Sequence, residues 1–87
     1  MIVALPDRPG SLGQVTTLLG RLGVDIRQMR VLSRDGAVAT DEFTVTVPGP
    51  VIDRMLPELL EEIQGVRVVS VTAADSDSGI SGAIVRV

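Results

Sequence analysis

One segment near the N-terminus, residues 7–12, combines residue types that can bind a small ligand. It reads Asp-Arg-Pro-Gly-Ser-Leu and stands between a short apolar run and an apolar stripe with helical spacing. The first amides of a helix lack intrahelical acceptors, and the helix dipole adds partial positive charge, so this place binds carboxylate or phosphate groups. Gly10 has no side chain and allows a ligand to approach the backbone closely. The segment therefore predicts a site for an anionic group.

The same loop also has a purely structural interpretation. Ser11 and Gln14 have the spacing of a capping box, in which two side chains satisfy two of the free amides. Asp7 could accept a hydrogen bond from the N–H of Gly10 and stabilise the turn. On spacing alone capping is the more frequent outcome, and both interpretations stay open.

Six segments with the periodicity of strands or helices position this loop. In chain order they are a buried strand at 1–5, a helix at 12–22, strands at 24–34 and 38–47, a helix at 52–63 and a strand at 66–73. The order β-α-β-β-α-β predicts an α+β, ferredoxin-like fold. Right-handed crossovers give a four-stranded antiparallel sheet of order 4-1-3-2 with both helices on one face.

Two places depart from a regular pattern. Val24 and Ile26 share one face of the second strand whereas Met29 and Val31 share the other, which predicts a bulge or strong twist near residues 27–28. Pro57 lies inside the second helical stripe. It predicts a kink, or a short turn followed by a fresh helix with the proline in its first turn.

Composition excludes several functional classes. Without cysteine or histidine there is no disulfide scaffold, Cys–zinc site, thiol nucleophile or Ser–His–Asp triad, and all eight basic residues are arginine. A net charge of −3 and a single aromatic residue, Phe43, argue against a nucleic-acid partner. No apolar run approaches the roughly 20 residues of a membrane span. We expect a cytoplasmic domain with no catalytic residues, no metal and no cofactor.

The segment 24–34 predicts an edge strand with unpaired backbone groups, which proteins either block or use. We expect a homodimer through edge strand 24–34 and the helices, with a monomer as the alternative. Arg27, Arg30 and Arg34 block the edge in part and could instead form an anion site. Surface ion pairs with nearby acids are the favoured interpretation, the acids being Asp35, Asp41 and Glu42.

Residues 7–12, followed by Gly23-Val24-Asp25-Ile26 just past the first helix, resemble the ACT domain. The pattern of that family is an Asp/Asn-Arg-Pro-Gly-x-Leu loop, an apolar helix, and Gly-Val-Asn/Asp-Ile at the start of the second strand. The resemblance covers residues 1–74, and the distance between the two motifs makes it specific. It implies a regulatory module that binds small molecules, most often amino acids, and exerts allosteric control on an attached enzyme or regulator.

The resemblance also implies a ligand held between two protomers, by the loop of one and the early second strand of its neighbour. The residues it assigns to the ligand are Asp7, Arg8, Pro9, Gly10, Ser11 and Leu12, with Asp25 and Ile26. Helix amides would hold a carboxylate, and the two acids, often asparagine in the family, favour a cationic group. An aliphatic lining of Leu12, Val24, Ile26 and Met29 predicts a small or branched apolar amino acid.

A second functional class uses the same fold without a ligand. The chain would then be a dimerisation or interaction module of a larger enzyme or regulator, with its loop amides capped internally. An enzyme is the weakest hypothesis, because no general base has a reason to titrate near neutral pH. We expect the ACT-like domain to span residues 1–74. Residues 75–87 have the composition of a linker or tail, and their apolar end predicts an added strand or the truncated start of a further domain.

Overall fold

The computed structural model describes residues 1–73 and 84–86. In chain order the elements are β1 (Ile2–Pro6), α1 (Ser11–Arg21), β2 (Asp25–Asp35), β3 (Val38–Thr46), α2 (Pro50–Glu61), β4 (Arg67–Ser70), β5 (Thr72–Ala73) and β6 (Ile84–Arg86). The first six elements have the predicted β-α-β-β-α-β order. The predicted division into 1–74 and 75–87 falls largely outside the described residues and stays a prediction.

The described sheet is antiparallel and contains the four predicted strands, β1 to β4, extended by the two short strands β5 and β6. β1 and β3 are central, with β2 beside β3 and β4 beside β1, so the long strands read β2-β3-β1-β4 across the sheet. β1 begins at Ile2 opposite Glu42, and beyond that point β6 pairs with β3 at Thr44–Thr46 on the side opposite β2. β5 then pairs with β6. The four-strand label 4-1-3-2 is incomplete because it omits this extension.

Both helices pack on one face of the sheet. The buried residues of β3 are its odd-numbered ones, and they include Phe43, whose side chain is fully enclosed. Because alternate residues of a strand point to opposite faces, these residues line a single side of the sheet. Phe43 and Val45 form one cluster with buried residues of both helices, namely Val15, Leu19, Leu56 and Leu60. Burial of each such side chain contributes about 1.5–3 kcal/mol to stability.

β2 contains the predicted bulge. Its register with β3 shifts between Ile26 and Gln28, and again between Val31 and Ser33. The first shift places Met29 opposite Phe43, on the same face as Ile26, because residues opposite each other in a ladder share a face. The helices cover this outer strand only in part, so the apolar side of β2 remains partly exposed.

The second helix is continuous through Pro57. α2 runs from Pro50, at the first helical position where a missing N–H costs nothing, to Glu61. The predicted alternative of a fresh helix at Pro57 is therefore wrong. Leu56 and Leu60 are buried on either side of the proline, and their packing offsets the hydrogen bond that Pro57 removes.

The turn after α2 presses against the end of β1. Gly65 has φ +84°, and a Cβ added to it would lie 2.6 Å from Cγ of Pro6. Only glycine fits this conformation and this approach without displacing its neighbour. The contact holds the last residue of β1, where the loop at 7–12 begins.

Candidate functional site

The loop after β1 is tied to the turn between β2 and β3. The amide of Asp7 donates to the carbonyl of Ala37 at 2.8 Å, and the amide of Arg8 donates to the carbonyl of Pro6 at 3.0 Å. Gly10 then precedes α1 with φ 90° and ψ −19°, in the left-handed region. The loop is thus anchored at its first residue and reverses direction at its glycine.

The predicted capping box at the start of α1 does not form. Ser11 is the first residue of the helix, not its cap, and no side chain of the described chain caps the helix. The amides of Ser11 and Gln14 donate to the carbonyls of Arg8 and Gly10, at 3.3 and 3.0 Å. The two amides between them belong to Leu12 and Gly13. With a glycine as N-cap, these amides are left for solvent or for a ligand.

A small cleft opens between the loop and the sheet. Its volume is about 110 Å³, and its lining comprises Leu5, Pro6, Asp7, Arg8, Leu12, Val31, Arg34, Ala39 and Asp41. Of the predicted site residues, Asp7, Arg8 and Leu12 are brought together here. Five of the lining residues are apolar and four are charged, two of them acidic and two basic, so the formal charges of the cleft are balanced.

Asp41 is the functional candidate that the sequence interpretation missed. Its residue is 4% exposed, and its Oδ1 has no hydrogen-bond partner in the part of the chain that the structure describes. Burial raises the pKa of its carboxyl; Arg34 opposes this shift and Asp7 adds to it. The signal was present in the sequence, because Asp41 has the same parity as the inward Phe43 and Val45 of β3.

The second acid of the cleft is only loosely paired. Oδ1 of Asp7 lies 3.9 Å from Nε of Arg34, at the limit of an ion pair, and the arginine side chain is largely exposed. An exposed pair of this kind is worth about 0–1 kcal/mol. A ligand could therefore displace it at little cost.

Asp25 and Ile26 do not reach this cleft within one chain. They lie at the start of β2, opposite Thr46 and Val45, whereas Arg34 lies near the other end of the strand. Nine residues of strand separate the two ends by roughly 30 Å. Oδ2 of Asp25 accepts from Nη1 of Arg27 at 3.1 Å.

The predicted apolar lining is likewise divided. Leu12 lines the cleft, but Val24 is buried in the core and Ile26 packs against the core. Val31 and Leu5 take part in the lining instead. The aliphatic lining predicted for the ligand site therefore stays a prediction, with Leu12 as the residue it shares with this cleft.

The arginines of β2 do not form one anion site. Each lies beside a different acid: Arg27 beside Asp25, Arg30 beside Glu42 and Arg34 beside Asp7. The shortest of these contacts joins Nη2 of Arg30 to Oε1 of Glu42 at 2.7 Å. Surface ion pairs were the favoured interpretation, and Glu42 is the one predicted acid that takes part.

A larger depression of about 530 Å³ lies between α1 and the last turn of α2 with the residues that follow it. It is wide and open, and Arg8 is its one residue among the predicted site residues. Its polar side chains, such as Gln14 and Arg21, project from an exposed helix surface. The smaller cleft, with its buried carboxyl, is the better candidate site.

Two classes of site find no support in residues 1–73 and 84–86. No group of three or more acidic, histidine or cysteine side chains is arranged there to hold a metal ion. Neither described helix has the length and apolarity needed to cross a membrane.

The ACT domain family matches residues 1–68, which are 68 of the 87 residues of the chain. The chain therefore belongs to the ACT domain family. Domains of this family are regulatory, bind small molecules and are not themselves catalytic. No curated protein and no solved structure matched the chain.

Proposed function

We propose that this ACT domain is a non-catalytic regulatory module that binds an amino acid between two copies of the chain. The observation that carries the proposal is the uncapped start of α1, whose second residue, Leu12, lines a cleft together with Asp7 and Asp41. A free amino acid is a zwitterion and needs N–H donors for one end and acceptors for the other. The start of α1 offers the donors, and the neighbouring cleft offers the acceptors.

The carboxylate of the ligand binds at the first turn of α1 in this proposal. The amides of Leu12 and Gly13 supply donors, and the helix dipole favours negative charge there. Gly10 leaves the approach to these amides open, because a Cβ on it would meet nothing within 4 Å. Asp7 on this protomer and Asp25 on the partner then accept from the ammonium group.

A site shared by two protomers is supported by where β2 begins and ends. Arg34, near the end of β2, lies beside Asp7, whereas Asp25 begins the strand. If two copies of β2 pair antiparallel, the start of one strand lies beside the end of the other. Asp25 and Ile26 of one protomer then approach the loop of its partner, so both predicted halves of the site meet.

The surface of β2 supports this pairing. Among the described residues, β2 pairs with β3 alone and leaves its other edge free. Its two bulges flank a regular stretch, residues 28–31, in which Met29 is 39% and Val31 is 48% exposed. Unpaired backbone next to exposed apolar side chains is a template for a second strand. The partner we propose is a second copy of this chain.

A thermal-shift screen of the twenty amino acids, with the mass of the protein measured alongside, tests the function. A ligand at 100 times its dissociation constant adds about 2.7 kcal/mol to stability. For a domain of this size the melting temperature then rises by roughly 10–20 °C. We expect one or two amino acids to give this shift on a protein of dimer mass.

Two variants make the screen specific to the β2 interface. Met29→Lys places a charge on the exposed apolar side of β2, and Val69→Lys places the same charge on exposed β4. We expect Met29→Lys to give a monomer that no longer responds to the ligand, and Val69→Lys to behave as wild type. A flat screen on a dimer would favour the ligand-independent interaction module. A monomeric wild type would overturn the shared site.

A further inference from the structure

We propose that Asp41 is the specificity-determining residue of this site: its buried Oδ1 accepts a hydrogen bond from an ammonium group of the ligand. This inference rests on the proposed function and adds a residue of β3 to a site that was predicted from the loop and β2. It commits the site to ligands that carry a primary ammonium group and excludes their deaminated analogues.

The first observation is that the buried carboxyl of Asp41 lowers the stability of the fold while one of its oxygens has no partner among the described residues. Asp41 is 4% exposed, and its Oδ1 is without a partner among the described residues. A buried polar atom without a partner costs stability, and proteins keep such groups where they serve a function. Oδ1 accepts and does not donate when the carboxyl is ionised, so its natural partner is a donor.

The second observation is the position of that carboxyl. Asp41 lines the cleft together with Asp7 and Leu12 of the loop, and Val31 lies opposite it in the ladder with β2. A ligand whose carboxylate lies at the start of α1 therefore extends toward Asp41. The low exposure of Asp41 and the apolar neighbours Leu12 and Val31 strengthen a charge-assisted hydrogen bond at this position.

The charged groups around the cleft decide the sign of the ligand group. Arg34 and Arg8 line its rim, and the guanidinium of Arg34 lies beside Asp7. Asp41 remains the buried group of the four, since Asp7, Arg8 and Arg34 are exposed residues. A second carboxylate at that depth would be repelled, whereas an ammonium group neutralises the buried acid.

The volume of the cleft limits which part of a ligand can bring an ammonium group to Asp41. About 110 Å³ holds the head of an amino acid or the tip of a long side chain. The α-ammonium of a neutral amino acid and the side-chain ammonium of a diamino acid share the same chemistry. Acetylation at one nitrogen or the other separates these two sources.

The test compares two neighbouring carboxyl-to-amide changes on β3. Asp41→Asn alters the buried acceptor, and Glu42→Gln is the matched control on the opposite face, where Glu42 pairs with Arg30. We expect Asp41→Asn to weaken the amino acid found in the screen by about 10–100-fold, as for a charged hydrogen bond. Glu42→Gln should bind as wild type.

A deaminated analogue completes a double-mutant cycle. Removal of the amino group from the ligand should weaken binding to wild type by about 10–100-fold more than it weakens binding to Asp41→Asn, because Asp7 and Asp25 lose the ammonium group in both proteins and Asp41 loses it only in wild type. With a lysine-like ligand, Nα-acetyl and Nε-acetyl forms show which nitrogen is bound. Additive losses, or equal binding to wild type and Asp41→Asn, would overturn the role of Asp41 while leaving amino-acid binding intact.

A second measurement does not depend on which amino acid binds. The ¹³C signal of the Asp41 carboxyl is followed while methylammonium chloride is added, with tetramethylammonium chloride as a cation that has no N–H to donate. We expect methylammonium to lower the pKa of Asp41 and tetramethylammonium to leave it unchanged. Equal responses to both salts would overturn the proposal. A response to methylammonium without any amino-acid hit would point to failure of the proposed function alone.

Discussion

Nε of Arg34 lies 3.9 Å from Oδ1 of Asp7, so the far end of β2 meets the first residue of the loop after β1. This contact joins the edge strand to the candidate cleft within one protomer. Because Arg34 also acts on the buried Asp41, one exposed side chain connects the edge strand β2 to the electrostatics of the candidate cleft.

Arg34→Gln should separate the structural from the electrostatic role of this arginine. An exposed ion pair contributes about 0–1 kcal/mol, so the free energy of unfolding should fall by less than about 1 kcal/mol. The pKa of Asp41 should nevertheless rise further, because Arg34 is the positive charge that opposes its upward shift. A carboxyl ¹³C titration measures that pKa. Arg27→Gln, at the other end of β2, is the control and should leave the Asp41 titration unchanged.

Stability should depend on pH through Asp41. Burial raises the pKa of its carboxyl, so the native chain holds this proton more tightly than the unfolded chain does. The contribution of Asp41 to the free energy of unfolding is therefore lost as pH rises from the ordinary aspartate pKa through the raised one. Asp41→Asn removes that slope and should be more stable than wild type at neutral pH, with the difference vanishing in acid. Urea denaturation at a series of pH values measures it.

The matched control for this pH series is Glu58→Gln, a change of an exposed carboxylate on α2. It should run parallel to wild type over the whole range. A neutral-pH stability of Asp41→Asn at or below that of wild type would show that the native carboxyl has a stabilising partner in solution. The specificity role proposed for Asp41 would then lose its physical basis.

Much of this fold could be predicted because periodicity reports burial directly. The conflict between Ile26 and Met29 on β2 predicted a bulge, and the register shift lies between Ile26 and Gln28. The continuity of α2 through Pro57 could not be predicted from hydrophobic periodicity. Tertiary packing of the helix decides there against local propensity, and packing is not visible in a local pattern.

The candidate site was harder to predict than the fold. A capping box was expected at Ser11, but the glycine before it adopts φ 90° and becomes the N-cap, so the helix begins one residue earlier than that box requires. Asp41 was interpreted as a surface acid because charge suggested exposure. The alternation of β3 places it inward instead, next to residues of the loop that are distant in sequence.

Gly65→Ala should destabilise the protein more than Gly10→Ala. Both glycines have positive φ, so an alanine is strained at either place. At Gly65 the new methyl group would also lie 2.6 Å from Cγ of Pro6, whereas at Gly10 it would meet open space. We expect a loss of about 1–2 kcal/mol for Gly10→Ala and 1–3 kcal/mol more for Gly65→Ala. Far-UV circular dichroism in urea suits a chain without tryptophan or tyrosine; equal losses would show that Pro6 moves aside.

The absence of native cysteine allows the proposed pairing to be mapped by introduced thiols. Antiparallel β2 strands would place Met29 of both protomers near the two-fold axis, where residues across a ladder have Cβ atoms about 4.5–5.5 Å apart. Met29→Cys protein should therefore cross-link to a dimer with a short bis-maleimide, and Val69→Cys on β4 should stay monomeric on a denaturing gel.

The shared site makes a stricter demand. Protein carrying Asp25→Cys, mixed with protein carrying Arg8→Cys, should give cross-linked heterodimers, because Asp25 of one chain approaches the loop of the other. Cross-linking at Val69 in place of Met29 would move the interface to the opposite edge of the sheet and separate Asp25 from the loop.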